Sequence, residues 1–378
     1  MHLDYNSYVL CLAEVALCRL RTHQWCFILF NIMLFHALLF GADFVEEYLL
    51  QSLPVAYTDV KVLEIREQAR KLDMEAVKDN ISKSYLISGV NACSGQDVFL
   101  LSVVFSNPEN KTRRDLIRQT WANITHIKEY TVLTMFALGK PNSETTQLEV
   151  LKESESHGDI IEGSFLDSSQ NQTLKTIMMM QWIVTFCPSA RFVLKANEDM
   201  FVNILSLVDH LLSLRTHPED IYMGRVIHQA LPIRDPQSYS FFIPKQYEKK
   251  FYPDYCSGTA YVISQDVARK VYVVSNQVSM SLSSDVFVGI CAHNAGIAPI
   301  HSSRFSGHRH IIYNRCCYKF IFTSAGMEDE DLTLEWREIS DGEKCSVLQT
   351  YYGLVSCKVW TYLDKLKYLK NEALSFSD

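Results

Sequence analysis

The chain has 378 residues, of which 48% are apolar and 12% aromatic. That is enough to bury one large domain or two ordinary ones, and too hydrophobic for a disordered protein. Its 36 Lys and Arg stand against 43 Asp and Glu, a net charge of −7, which excludes the overall basic field that binds nucleic acid through its phosphates. A negatively charged ligand therefore needs a local basic cluster or a metal.

From Thr22 to Ala42 there is no Asp, Glu, Lys or Arg. At ~1.5 Å per residue, residues 22–42 predict a helix just long enough to cross a bilayer core of ~30 Å. Arg19 and Arg21 precede the run, and Asp43, Glu46 and Glu47 follow it, so the positive-inside rule predicts a cytosolic tail at 1–21 and a type II anchor. Four glycosylation sequons, at Asn80, Asn110, Asn123 and Asn171, all lie beyond the run and fit exposure to the secretory lumen. Eight cysteines also lie beyond it: Cys93, Cys187, Cys256, Cys291, Cys316, Cys317, Cys345 and Cys357. An even set suits disulfides in an oxidising compartment; buried free thiols are the alternative, and the connectivity stays open.

Residues 43–92 are charged, with apolar residues at scattered helical spacing, and predict a stem. From Cys93 to the end, 93–378, the texture is that of one folded domain. "DVFLLSVVFS", "YTVLTMFALG", "DIIEGSF" and "ARFVLKA" read as strands. "RRDLIRQTW", "TTQLEVLKESESHG", "NQTLKTIMMMQWIVTFC" and "NILSLVDHLLSLRTH" read as the helices between them, with Gly158 as a stop. The alternation predicts an α/β fold with a mainly parallel sheet covered on both faces.

Several stretches carry chemistry. "FVLKANEDMFVNI" ends an apolar strand in Asn197, Glu198 and Asp199, at the carboxyl end where α/β sheets present ligand-binding groups. These acids suit a divalent ion, and equally suit the start of the helix at Asn203. Asp285, between serines and an apolar helical run, reads as a helix cap or as a positioned base. Arg113, Arg114 and Arg118 suit phosphate contact or a solvated basic face. Tyr252, Tyr255 and Tyr261 around Cys256-Ser257-Gly258 suit sugar stacking or core packing. No partner pattern supports a nucleophilic Cys256, and His301, His308 and His310 match no standard metal spacing.

In order along residues 93–325, "RRDLIRQTW", "FALG", "HGDIIEGSFLDSSQNQTLKTIMMMQWIVTFCPSARFVLKANEDMFVN", "PIRD", "YPDYCSGTAYVIS" and "SDVFVG" resemble the motifs of the lumenal β-1,3-glycosyltransferases, a family of galactosyl- and N-acetylglucosaminyltransferases. The resemblance implies a GT-A fold, a type II Golgi membrane protein, a UDP-sugar donor, a glycan acceptor on glycoprotein or glycolipid, Mn²⁺, and inversion at the anomeric carbon. Carried over, Asp199 ligates the metal and Asp285 is the general base. Arg114, Arg118, Lys175, Asn197 and Glu198 lie at the donor nucleotide. Three positions depart from the family pattern: Asn197 stands for the first Asp of D-x-D, Ser284 for the acid before the base, and "YKFIFTSAGM" carries no His. The resemblance leaves open whether galactose or N-acetylglucosamine is moved, and whether the chain turns over or only binds.

Overall fold

The computed structural model of the protein describes residues 5–50, 59–72, 84–214, 219–232 and 250–375. It divides into two compact units, Met1–Leu50 and Gln51–Asp378. The first is the helix α1 (Tyr5–Tyr48). Its stretch Gln24–Tyr48 has a mean hydropathy of 2.0 and is long and apolar enough to cross a membrane, as expected of a type II anchor. Its polar residues are satisfied within the helix: Asn31 Nδ2 donates to Phe27 O at 2.8 Å, and His36 Nδ1 lies 2.6 Å from Ile32 O.

The second unit begins with α2 (Val60–Arg70), β1 (Tyr85–Ile87) and β2 (Val98–Phe105). Then come α3 (Lys111–Gln119), β3 (His126–Ile127), β4 (Tyr130–Lys140), α4 (Glu144–His157), β5 (Ile160–Leu166) and α5 (Gln172–Phe186). The middle holds β6 (Phe192–Asn197), β7 (Phe201–Val202), α6 (Ile204–Ser213), β8 (Tyr222–Ile227) and β9 (Tyr255–Ser264). After these come α7 (Gln265–Ser275), α8 (Ser284–Asn294), β10 (Ile300–His301), α9 (Arg315–Tyr318), β11 (Thr323–Ser324), α10 (Asp329–Ile339) and α11 (Val347–Ser375).

The main sheet runs β1-β5-β4-β2-β6-β9-β8-β10. Strands β5, β4, β2 and β6 are mutually parallel, while β9 is antiparallel to both β6 and β8. Every residue of β2, "VFLLSVVF", is buried, as a central strand covered on both faces requires. Val103 and Phe105 pack with Met179 and Ile183 of α5 and Val271 of α7. Val104 faces the other way, into a core shared with Ile117 of α3 and Leu207 and Val208 of α6. This is the expected α/β layering. Gly158 stops α4 in the left-handed region (φ 67°), its N–H donating to Ser154 O at 2.8 Å.

Two features depart from the sequence expectation. Part of the expected stem, residues 43–92, belongs to the folded unit: α2 buries Val62, Ile65 and Ala69, and Arg66 donates to Ala295 O at 3.1 Å and Asp220 at 2.9 Å. Strand β1 extends the sheet by pairing with β5. The physical reason is the three-then-four spacing of Val62, Ile65 and Ala69, which gives a largely charged helix one apolar stripe. Of the eight cysteines, six form the bridges Cys93–Cys187, Cys316–Cys345 and Cys317–Cys357, while Cys256 and Cys291 are buried free thiols.

Candidate active site

At the carboxyl ends of β2 and β6 lies a cleft of about 410 Å³, lined by Phe105 to Asn107 at the end of β2, Asp167 to Ser169 after β5, Gln172 and Lys175 of α5, and Asn197 to Asp199 at the end of β6. This is where an α/β sheet offers its crevice. Lys175 and the three residues of the "NED" tip thus meet although they come from separate segments.

The lining groups differ in how far they are committed. Glu198 accepts from Ser106 Oγ at 2.5 Å, from the Asn107 N–H at 3.3 Å and from Asn110 Nδ2 at 2.6 Å, so its carboxylate ties the loop after β2 to the tip of β6. Asp167 accepts from the Gly139 N–H at 2.7 Å and from Lys175 Nζ at 2.7 Å. A Cβ on Gly139 would come within 2.9 Å of the Asp167 backbone, so only glycine admits this approach. Lys175 also donates to Ser106 O at 3.0 Å; burial lowers its pKa, opposed by the Asp167 charge. The exposed Asp199 is fixed through its backbone, where Met327 N–H donates to its carbonyl at 3.0 Å, and its carboxylate has no side-chain partner among the described residues.

Asp285 stands in the first turn of α8; the N-cap position is taken by Ser283, whose side chain makes no capping bond. Its Oδ1 accepts from the Val286 N–H at 2.9 Å. Two glycines let α8 approach β9. A Cβ on Gly258 would lie 3.1 Å from Asp285 Cβ, and one on Gly289 would lie 2.3 Å from Tyr255 Cβ. The Tyr255 hydroxyl is pushed up to about 12, first by burial and then by the Asp285 charge. The link from Asp285 to the cleft is Lys195, buried in β6, whose Nζ donates to Gly258 O and, at 2.5 Å, to Asn197 Oδ1. Sequence reasoning passed over Lys195. The available signal was a lysine inside an apolar strand, which is rarely buried unless partnered.

The arginines are a correction. Arg114 is fully buried and lies behind the cleft wall: it donates to both carboxylate oxygens of Glu153 at 2.8 and 2.7 Å, to Ser106 Oγ at 3.1 Å, and to the carbonyls of Asn107 and Pro108 at 2.6 and 3.0 Å. Arg118 is spent on Asp115, Glu153 and Asp159 at 2.7, 2.7 and 2.8 Å. With their donors engaged, neither side chain lines the cleft; they shape the loop that does. Cys256 is fully buried and its thiol is pushed well up by burial, so it is no nucleophile. Tyr252, Tyr255 and Tyr261 are buried core residues rather than a stacking platform. His310 Nδ1 lies 3.0 Å from Ala325 O, and His301 Nδ1 accepts from the Val226 N–H at 3.3 Å. The Asn80 sequon and most of the "PIRD" motif lie outside the described residues. Asn123 is exposed, whereas the Asn110 and Asn171 amides already donate to Glu198 and to Leu166 O, at 2.6 and 2.8 Å.

The described residues do not by themselves complete a Mn²⁺ site. No group of three His, Cys, Asp or Glu converges among the described residues. Asn197 Oδ1 is turned to Lys195, and Glu198 and Asp167 are committed, which leaves Asp199 as the one uncommitted carboxylate at the cleft.

The Galactosyltransferase family model matches residues 112–303, a stretch that holds β6, Lys175, the Asn197–Asp199 tip and Asp285. The chain belongs to this family. It is 59% identical over 370 residues to human beta-1,3-galactosyltransferase 9, covering 97% of this chain and 100% of that protein. It is 38% identical over 283 residues to human lactosylceramide 1,3-N-acetyl-beta-D-glucosaminyltransferase, covering 73% and 75% of the two chains. Among solved structures, the galactosyltransferase LgtC in complex with donor and acceptor sugar analogues aligns with a TM-score of 0.36 at 10% identity, over 64% of this chain and 97% of that one.

Proposed function

We propose that the chain is an inverting β-1,3-glycosyltransferase of the Golgi lumen. It transfers a hexose, galactose foremost, from a UDP-sugar to the 3-hydroxyl of a terminal sugar on a glycoprotein or glycolipid glycan. Residues 1–21 face the cytosol, and α1 tethers the rest to the membrane. The observation that carries this reading is a pair of carboxylates without side-chain partners among the described residues, Asp199 at the cleft and Asp285 beside Gly258, joined through Lys195. Asp285, which does not line the cleft itself but is joined to it through Lys195, suits a general base because no described side chain engages its carboxylate.

Asp285 takes the proton of the acceptor 3-hydroxyl as that oxygen attacks C1 of the donor sugar. The bond from C1 to the diphosphate oxygen breaks, its electron pair leaves with UDP, and the configuration at C1 inverts. No protein nucleophile is needed. The Lys175 side chain, which lines the cleft, borders the leaving diphosphate. Asp199 is the carboxylate that would hold a Mn²⁺ arriving with the nucleotide, where the ion would offset the charge of the leaving diphosphate. Asn197 and Glu198 line the donor side, Glu198 by holding its loop.

A screen of UDP release with UDP-galactose, UDP-N-acetylglucosamine and UDP-glucose, over a panel of glycan acceptors with and without Mn²⁺, tests the reading. Acceptor-dependent release with UDP-galactose is expected. Turnover with UDP-N-acetylglucosamine alone would move the chain to the other branch of its family. UDP binding without turnover on any pair would leave a binding protein.

A further inference from the structure

Resting on that reading, the position that departs most from the family pattern gains a defined role. Asn197 lines the cleft at the end of β6, and its Oδ1 accepts from Lys195 Nζ at 2.5 Å. Lys195 sits in a buried slot between Asn197, the Gly258 carbonyl and the Phe105 ring, 4.5 Å from the ring centroid. An ammonium has three donors and no acceptor, so the amide that meets it must present oxygen and turn its nitrogen elsewhere. The Asn197 Nδ2 has no protein partner among the described residues, and it belongs to a half-buried side chain on the cleft wall. Burial lowers Lys195 to about 7 while the charges of Asp285 and Asp199 hold it up, so the slot is cationic below neutral pH.

We propose that Lys195 is a positioning residue that locks Asn197 with its amide nitrogen toward the cleft, so that this position binds the nucleotide sugar by donating a hydrogen bond to a diphosphate oxygen rather than by ligating a cation. A phosphate oxygen only accepts, and a fixed N–H that meets it needs no counter-ion. A carboxylate here would repel the diphosphate unless an ion stood between them. The Asn thus turns an ion-dependent contact into a direct one.

The test is a double-mutant cycle on UDP affinity, measured by calorimetry on the full chain in detergent at pH 6 with chelator present. Asn197→Ala and Lys195→Met are each expected to weaken UDP binding about tenfold, and the double variant no more than the weaker single one. Lys195→Met weakening UDP as much in the Asn197→Ala background as alone would overturn the proposal. Should Lys195→Met fail to fold, Asn197→Asp decides: it keeps the shape but has no N–H, and is expected to lose about tenfold in chelator. Unchanged affinity would overturn the assignment. Repeating the cycle with 2′,3′-dideoxy-UDP is expected to preserve the coupling, and its disappearance would place the contact on the ribose. Wild-type chain that binds no UDP at all would remove the sugar-nucleotide reading itself, which separates that failure from failure of the Lys195 assignment.

Discussion

Beneath the cleft, the parallel half of the sheet buries charge: Arg114 and Glu153 are both essentially inaccessible, with Arg118 joining the same carboxylate at 2.7 Å. The C-terminal segment from Cys316 to Cys357 uses covalent bonds instead, two disulfides that hold α9 to α11 and to the loop before it. Buried ion pairs are weak sources of net stability, since desolvation offsets most of the attraction. What Arg114 gains by its position is geometry: it grips Ser106, Asn107 and Pro108, the loop that forms the cleft wall. The disulfides close loops and constrain the unfolded chain, and the segment they hold touches the tip of β6 from behind, through Met327 N–H to the Asp199 carbonyl and through Arg113, which joins Asp329 to the Glu198 carbonyl. One region shapes the wall of the cleft; the other lends stability and lines no part of the cleft among the described residues.

Substitutions can break this contrast. Arg114→Met strips a buried carboxylate of one partner and leaves three loop acceptors unmet. It is expected to cost about 3–5 kcal/mol in denaturant unfolding and to weaken UDP binding in the molecules that remain folded. Replacing Cys317 and Cys357 together by Ser opens a bridge with a sequence separation of 40. It is expected to cost about 3 kcal/mol while UDP affinity stays within about twofold. A loss of affinity equal to that of Arg114→Met would erase the distinction.

A smaller effect comes from Glu335 on α10. Its Oε2 is buried without a hydrogen-bond partner among the described residues, and burial, then the Asp331 and Glu338 charges, push the carboxyl up to about 8. The folded form therefore keeps a proton that the unfolded chain releases above its ordinary value of 4.5. Stability should fall as pH rises from about 4.5 to 8. Glu335→Gln should flatten that slope, raising Tm by about 3 °C at pH 8 and leaving it unchanged near pH 4.5. Equal melting shifts at both pH values would show that this carboxyl is not the titrating group.

The same contrast explains what could be read from the sequence. The alternating elements from β2 to α6 were legible because each carries its own period and stop signal, such as Gly158 closing α4. The antiparallel insertion of β9 between β6 and β8 was not, because a strand's direction is set by partners far along the chain. The site followed that rule. Asp199, Lys175 and Asn197 lie on one rim, as their motifs implied. The fate of Arg114 depended on Glu153, 39 residues away, and nothing in "RRDLIRQTW" distinguishes a phosphate clamp from a buried strut. Lys195 hid in an apolar run because its carbonyl partner, Gly258, is 63 residues distant.

Asp285→Asn offers the most direct test of the central claim. The change preserves shape and removes the base. UDP-sugar affinity of the full chain should stay within about twofold, while the single-turnover rate of sugar transfer to a glycan acceptor falls about 10³-fold, in the range that general bases contribute. A variant that transfers sugar at the wild-type rate would contradict the account.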